Sequence, residues 1–211
     1  MQIGPFGLIG TVVRLEPMAL DHVDGLVAAA SVDRSTFGFT MVPSTSSGMQ
    51  AHVESLLALR SNGVDLPFTT CSAVDGRVLG MTRFLWLRSY YGREMPDAVE
   101  IGGTWLAASA QRTGANTDAK LLMLTHAFEN LGATRVEFKT HSKNEKSRRA
   151  IERIGGVFEG LHRKHMLHQD GSRRDSAWYS ILDDEWPAVK ARLEDMLNGK
   201  GVTTENAGPT A

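Results

Sequence analysis

The fold is decided by residues 98–141, which read AVEIGGTWLAASAQRTGANTDAKLLMLTHAFENLGATRVEFKTH. Ala98–Leu106 is rich in strand-forming residues, but two consecutive glycines interrupt it, which favours a β-bulge. A helix follows over about Thr117–Leu131, because apolar residues recur there at helical spacing. Arg135–His141 alternates apolar and charged side chains and predicts a second strand. A strand–helix–strand unit of this kind favours parallel pairing of its two strands through a right-handed crossover.

Patterns on either side of this unit predict the remaining elements. Strands are expected at Thr11–Glu16, Pro67–Val74, Val78–Leu87, Val157–Leu167 and Ser176–Leu182, and helices at Leu20–Ser31, Met49–Arg60, Asn144–Ile154 and from about Asp184 onward. Asp75-Gly76 and Asp170-Gly171 are typical of the turns between paired strands. We therefore predict an α/β (α+β) fold, in which helices flank a mixed, mostly antiparallel twisted sheet with a central parallel pair.

Composition excludes several classes of protein. The 211 residues are 42% hydrophobic and 22% charged, which suits one globular domain, expected over residues 1–197. Residues 198–211 lack apolar periodicity and predict a disordered tail. A net charge of −1 argues against nucleic acid or a membrane as the main partner. Cys71 is the single cysteine, which excludes an intramolecular disulfide and predicts a reducing, cytoplasmic compartment.

The loop Gln111–Asn116, QRTGAN, lies between a predicted strand end and a predicted helix start. Backbone N–H groups of such a loop, together with the positive end of the helix dipole, form a site for an anion such as a pyrophosphate. We expect Gly114 to adopt an unusual backbone conformation there, so that Gly114→Val weakens anion binding more than it lowers stability. The loop lacks the Gly-Lys-Ser/Thr of a P-loop and the GxGxxG of a dinucleotide-binding unit.

Three segments together carry a family resemblance: EIGGTWL (100–106), QRTGANTDAK (111–120) and NEKSRRAIERIGG (144–156). They resemble the GNAT superfamily of acyl-CoA-dependent N-acyltransferases, and within it the ribosomal-protein N-terminal acetyltransferase-like (RimJ/RimL-like) branch. The resemblance covers about residues 11–188. In the loop pattern Gln/Arg-x-x-Gly-x-Gly/Ala, Gln111 and Gly114 match, whereas Asn116 departs from it and Arg112 stands where relatives of the branch often have glycine.

The resemblance implies a GNAT-like sheet whose parallel strands splay apart after Trp105. It implies acetyl-CoA as cosubstrate, a primary amine as acceptor and no metal. Glu100 is the candidate base or orienting group, Ser147 the candidate donor to the CoA sulfur, and Asn144 both a helix cap and a contact to CoA. The CoA-binding candidates implied in this way are Trp105, Leu106, Ala107, Gln111, Arg112, Thr113, Gly114, Ala115, Asn116, Asn144, Ser147 and Arg149.

Other interpretations stay open at this point. Glu100 also suits a structural carboxylate and Ser147 an ordinary first-turn serine. The chain also suits a catalytically silent CoA-binding regulatory module or an antibiotic-modifying acetyltransferase, and the acceptor is a protein N-terminus or a small-molecule amine. A homodimer is left open. The balanced charge disfavours a nucleic-acid binder that uses the Lys143–Arg153 face.

The positions of the histidines and of the single cysteine in the sequence do not indicate a metal site. Alternation along a strand puts His162 and His168 on one face and His165 on the other, so that the three do not converge. Cys71 lies in an apolar strand with no evident histidine partner, which favours a packed small side chain.

Overall fold

A computed structural model describes residues 5–90, 92–167 and 171–199. One sheet of eight strands runs through them in the order β1-β2-β3-β4-β5-β6-β8-β7. The strands are β1 Leu8–Ile9, β2 Val13–Pro17, β3 Asp65–Ser72, β4 Val78–Arg88, β5 Ala98–Leu106, β6 Arg135–His141, β7 Val157–Leu167 and β8 Arg173–Leu182. The pair β5–β6 is parallel and the other neighbours are antiparallel, so the predicted mixed sheet is confirmed.

Five α-helices of the described residues flank the sheet. They are α1 Val23–Ser31, α2 Ser46–Ser61, α3 Ala115–Thr125, α4 Glu145–Arg153 and α5 Trp186–Leu197. The helices α1 and α2 pack on one face of the sheet together with Met81 and Trp105. The helices α3 and α5 pack on the other face, where Ile151 of α4 joins the larger hydrophobic core. No helix of the described residues is long and apolar enough to span a membrane.

The starts of the predicted strands agree with the observed ones to within three residues. The predicted bounds of β5, β6 and β7 coincide with the observed ones, while β2, β3 and β8 start two or three residues from the predicted positions. The short β1 was not predicted. The turn predicted at Asp170-Gly171 and the tail predicted at 198–211 lie outside the described residues, apart from residues 171, 198 and 199.

Two predicted helices differ in their details. The first predicted helix begins as a 3₁₀ turn, Leu20–His22, and becomes α-helical at Val23. The helix predicted over Thr117–Leu131 begins earlier, because the Thr113 hydroxyl accepts the Ala115 N–H at 3.2 Å and supports the first turn. Its last part, His126–Asn130, is a π-helical turn.

Candidate active site

A gap opens in the middle of the sheet between β5 and β6. The parallel pairing joins three residue pairs and ends with Glu100 opposite Glu137. Beyond this point β5 stays paired with β4 as far as Leu106, while β6 stays paired with β8. The expectation that the strands separate after Trp105 is therefore wrong, because the separation begins directly after Glu100. The bulge at Gly103, with φ of 58°, lies on the β5 edge of this gap.

The β5 edge offers few free backbone groups. Ala107 N–H donates to the Leu79 carbonyl at 2.7 Å, so this group belongs to the sheet. In a strand, the N–H and C=O of one residue point to the same side, and those of the next residue point to the opposite side. Because the Ala107 N–H points toward β4, the N–H and C=O of Leu106 face the gap. The Leu106 carbonyl accepts from the Gln111 side chain at 2.8 Å, which leaves its N–H for a ligand. Trp105 lies opposite Met81 in the β4–β5 ladder.

The loop Gln111–Asn116 leads into the N-terminus of α3 with unpaired amides. Among the described residues, no acceptor takes the N–H groups of Arg112, Thr113, Gly114 or Asn116. Unpaired amides at a helix N-terminus attract an anion, since the helix dipole adds partial positive charge there. The arrangement fits the pyrophosphate site expected from the sequence.

The expectation for Gly114 is wrong in its reason. Gly114 has φ of −66°, an ordinary helical value, and the residue in the left-handed region is Arg112, with φ of 60°. A Cβ atom added to Gly114 would lie 3.3 Å from the Val12 side chain and 3.4 Å from that of Leu197. The position is glycine because Val12, just before β2, and Leu197 of α5 pack closely against it.

Gln111 and Lys146 join the two sides of the gap. The Lys146 ammonium on α4 donates to the Gln111 side-chain carbonyl at 2.6 Å and to the Thr36 backbone carbonyl at 3.2 Å. The Gln111 amide also donates to the Thr36 hydroxyl at 3.1 Å. The loop after β5, the start of α4 and the segment Arg34–Phe37 therefore meet at the mouth of the gap. Lys146 and Thr36 were not assigned to the CoA site from the sequence, because nothing local in the sequence signals this contact.

Asn144 caps α4 as predicted. Its side-chain oxygen accepts the Ser147 N–H at 3.1 Å, and its own N–H donates to the His141 carbonyl at 2.8 Å. The Ser147 hydroxyl is half-buried and has no protein partner among the described residues. Arg149 lies on the exposed side of α4, where Glu145 pairs with it at 3.1 Å.

Glu100 is the buried carboxylate at the closed end of the gap. Its residue exposure is 1%, and one carboxylate oxygen accepts from the Lys139 ammonium at 2.9 Å. Burial raises the pKa of Glu100, and the Lys139 charge opposes that shift. The second carboxylate oxygen has no hydrogen-bond donor among the described residues. Glu100 therefore has one oxygen fixed by a cation and one available to accept a proton.

The Lys139 ammonium lies between two indole rings. It is 4.7 Å from the Trp86 ring centre and 5.4 Å from that of Trp178. His162 stacks on Trp178 and His165 meets the same ring edge-on. The prediction that His162 and His165 point to opposite faces is therefore wrong: β7 has an irregular register here, and Lys164 has φ of 52°. His168 lies outside the described residues.

A second buried amine lies on the α3 side of the sheet. The Lys120 ammonium donates to the Thr104 hydroxyl at 2.9 Å and to the Thr82 hydroxyl at 3.2 Å. Burial lowers the pKa of Lys120 to about 7. Sequence reasoning missed this residue, although a lysine on the predicted apolar helix is a visible irregularity.

Cys71 has neighbours that the sequence did not reveal. Glu16, His22 and Cys71 bring ligand-type atoms within 4.8 Å of one another. However, the Ala19 N–H donates to His22 Nδ1 at 3.1 Å, so the ring carries its proton on Nε2, which faces Glu16 at 3.3 Å. A metal at Nε2 would require that proton to leave. His22 therefore lies near Cys71, which the sequence did not reveal, but no hydrogen bond joins their side chains among the described residues, and Cys71 is a buried thiol, as expected.

The fold and the gap define the class of protein. Residues 13–157 match the family model described as the acetyltransferase (GNAT) domain. The chain belongs to this family, whose members use acetyl-CoA, and the predicted family membership is confirmed.

Individual relatives are similar to this chain over part or most of its length. The chain is 39% identical over 88 residues to the "Putative ribosomal N-acetyltransferase YdaF" of Bacillus subtilis (strain 168). That match covers 42% of this chain and 48% of the relative, so the chain spans about half the length of this curated relative. The structure of a GCN5-related N-acetyltransferase from Brucella melitensis is 32% identical, with a TM-score of 0.83, covering 97% of this chain and 90% of that one.

A further solved structure shares the fold. It is Mycobacterium smegmatis RimJ in complex with CoA-disulfide, which is 23% identical with a TM-score of 0.75, covering 91% of this chain and 95% of that one.

Proposed function

We propose that this protein is an N-acetyltransferase that moves an acetyl group from acetyl-CoA to a primary amine in a ternary complex. The observation that carries the proposal is the gap between β5 and β6, which has Glu100 at its closed end and unpaired loop amides at its mouth. The CoA-disulfide bound by the RimJ structure supports a CoA ligand for the same fold.

Acetyl-CoA fits the gap in three parts. The amides of Arg112, Thr113, Gly114 and Asn116 hold the pyrophosphate, and the Lys146 ammonium adds positive charge close to them. The Leu106 N–H pairs with the pantetheine arm as an added strand would. The thioester then reaches the closed end of the gap. Arg149 remains a predicted contact to CoA, at the exposed side of α4.

The chemistry is a direct displacement. The amine nitrogen bonds to the thioester carbon, the carbon–sulfur bond breaks, and CoA leaves as its thiolate. The proton released by the amine passes to the free oxygen of Glu100, directly or through a water molecule. The unpaired Ser147 hydroxyl donates to the departing sulfur, and Asn144 fixes the helix turn that presents it. Catalysis is mainly positioning.

The acceptor is a protein N-terminus or a small-molecule amine, and the location is cytoplasmic. One continuous sheet through residues 8–182 agrees with a single domain. The polar face of β6 and β8 beside Glu100 is the face that an acceptor enters, since α3, α4 and α5 occupy the other face.

The test is CoA release with a panel of peptides and small amines, with the acetylated product identified by mass spectrometry. We expect turnover by the wild type, a loss of about 10²–10⁴-fold in Glu100→Gln, and little change in the control Glu145→Gln on the exposed side of α4. Binding of acetyl-CoA without turnover of any amine would refute the catalytic proposal and indicate the regulatory CoA-binding module instead.

A further inference from the structure

Arg174, on the acceptor face of the sheet, has no ion-pair partner among the described residues. Trp178, whose ring contacts Lys139, stands on this face of β8. Side chains alternate along a strand, so Arg174 lies on the same face as Trp178. The Arg174 Nε atom is buried and has no hydrogen-bond partner, and no carboxylate of the described residues pairs with its guanidinium.

The carboxylates of this face are already paired. Glu100 binds Lys139, Glu137 binds Arg88 and Arg135, and Glu159 binds Arg135. Asp175, next to Arg174 in sequence, lies on the opposite face of β8 by strand alternation and accepts the Lys164 N–H at 2.6 Å. Among the described residues of this face, the Arg174 guanidinium is therefore a positive charge without a carboxylate partner.

A half-buried cation without an anion is an unfavourable arrangement for the protein alone. Burial lowers the pKa of Arg174, and the negative charge of Glu100 is the attraction that opposes this shift. A guanidinium that is desolvated in this way gains free energy when a ligand carboxylate pairs with it. The arrangement is that of a binding group and not of a structural ion pair.

Trp86 supplies an apolar wall at the same place. Its side chain is half exposed, although it lies over the partly buried Lys139 ammonium. Its φ of 53° is rare for a bulky residue, and such strain is characteristic of functional sites. An acceptor beside Glu100 therefore has an indole against which its carbon atoms can pack.

We propose that the acceptor is a peptide N-terminus with an acidic side chain near its amine, and that Arg174 is the specificity-determining residue that binds this acid. The inference rests on the proposed acetyltransferase function. Arg174 and Trp178 are four residues apart on β8, or roughly 13 Å along an extended strand. A peptide advances roughly 3.3 Å per residue, so the acid belongs at the second to fourth position of the acceptor.

The experiment compares acceptor peptides that differ by one charge. Tetrapeptides with a free N-terminal serine carry Asp or Asn at position two, three or four, and kcat/KM is measured for each. We expect the wild type to prefer at least one Asp peptide over its Asn counterpart by about ten- to a hundredfold, the value of one charge-assisted hydrogen bond. The preference should weaken at high salt.

Two variants make the result specific. Arg174→Gln should reduce the Asp preference to less than about threefold, while acetyl-CoA affinity stays at the wild-type value. Arg173→Gln, a neighbouring exposed arginine on the other face of β8, should keep the preference.

Three outcomes would overturn the inference. They are an absence of Asp preference in the wild type, its persistence in Arg174→Gln, and acetylation of small amines but of no peptide. The last outcome leaves the proposed acetyltransferase function intact, whereas failure to acetylate any amine overturns both.

Discussion

Replacement of Lys139 by methionine tests the role of Glu100 most sharply. The Lys139 ammonium is 2.9 Å from the carboxylate of Glu100, whose residue exposure is 1%. At this distance and an effective dielectric constant of about 20, the attraction is about 6 kcal/mol. Solvent that enters beside the methionine recovers part of this attraction, and we expect the pKa of Glu100 to rise in the variant.

The assay is the pH dependence of kcat/KM between pH 5 and pH 9. A base must be ionised to accept a proton, so the acidic limb of the profile should move to higher pH in Lys139→Met. Methionine can pack between Trp86 and Trp178, and the variant should therefore fold. The matched control is Arg88→Met, because Glu137 keeps its second partner Arg135 at 2.7 Å. An acidic limb that stays in place in Lys139→Met would refute the assignment of Glu100 as the base.

Three further predictions concern the loop and the buried amine. Arg112→Gly should raise the free energy of unfolding by about 0.5–1 kcal/mol in urea titration, since φ of 60° suits glycine; a lower value would contradict this. Gly114→Ala should be tolerated, whereas Gly114→Val should lower the free energy of unfolding by about 1–3 kcal/mol, because the larger side chain crowds Val12 and Leu197. Unchanged stability of the valine variant would be contrary evidence. Between pH 7 and the ordinary lysine pKa, the unfolded chain binds the Lys120 proton that the folded chain has lost, so stability rises with pH by up to about 1.4 kcal/mol per unit. Lys120→Met should lack this contribution, and equal pH slopes in the two proteins would disprove it.

Local patterns predicted the elements that position the site. The alternation in Arg135–His141 and the apolar run in Ala98–Leu106 gave the bounds of both strands, because a half-buried or fully buried strand constrains every side chain along it. Asn144 was predicted as a cap because the capping contact to Ser147 spans only three residues. The candidate loop Gln111–Asn116 was found in the same way.

Contacts between segments that are far apart in the sequence could not be predicted from local patterns. Lys139 and Glu100 meet because β5 and β6 are neighbours, and no local pattern encodes which lysine reaches which carboxylate. His165 was placed on the wrong face, because a bulge shifts the alternation and leaves no clear signal in the residue types. The glycine at position 114 was attributed to backbone conformation, but the structure shows close packing against Val12 and Leu197. These two residues lie far from Gly114 in the sequence, so no local pattern indicates the contact.

The most direct test of the proposed acetyl-CoA site is a crystal structure of the protein with CoA. We expect the pyrophosphate to lie within hydrogen-bond distance of the amides of Arg112–Asn116, and the pantetheine arm to pass through the gap between β5 and β6. We also expect the sulfur to lie beside the Ser147 hydroxyl. A CoA molecule bound at another surface, with the gap closed, would refute the proposed site.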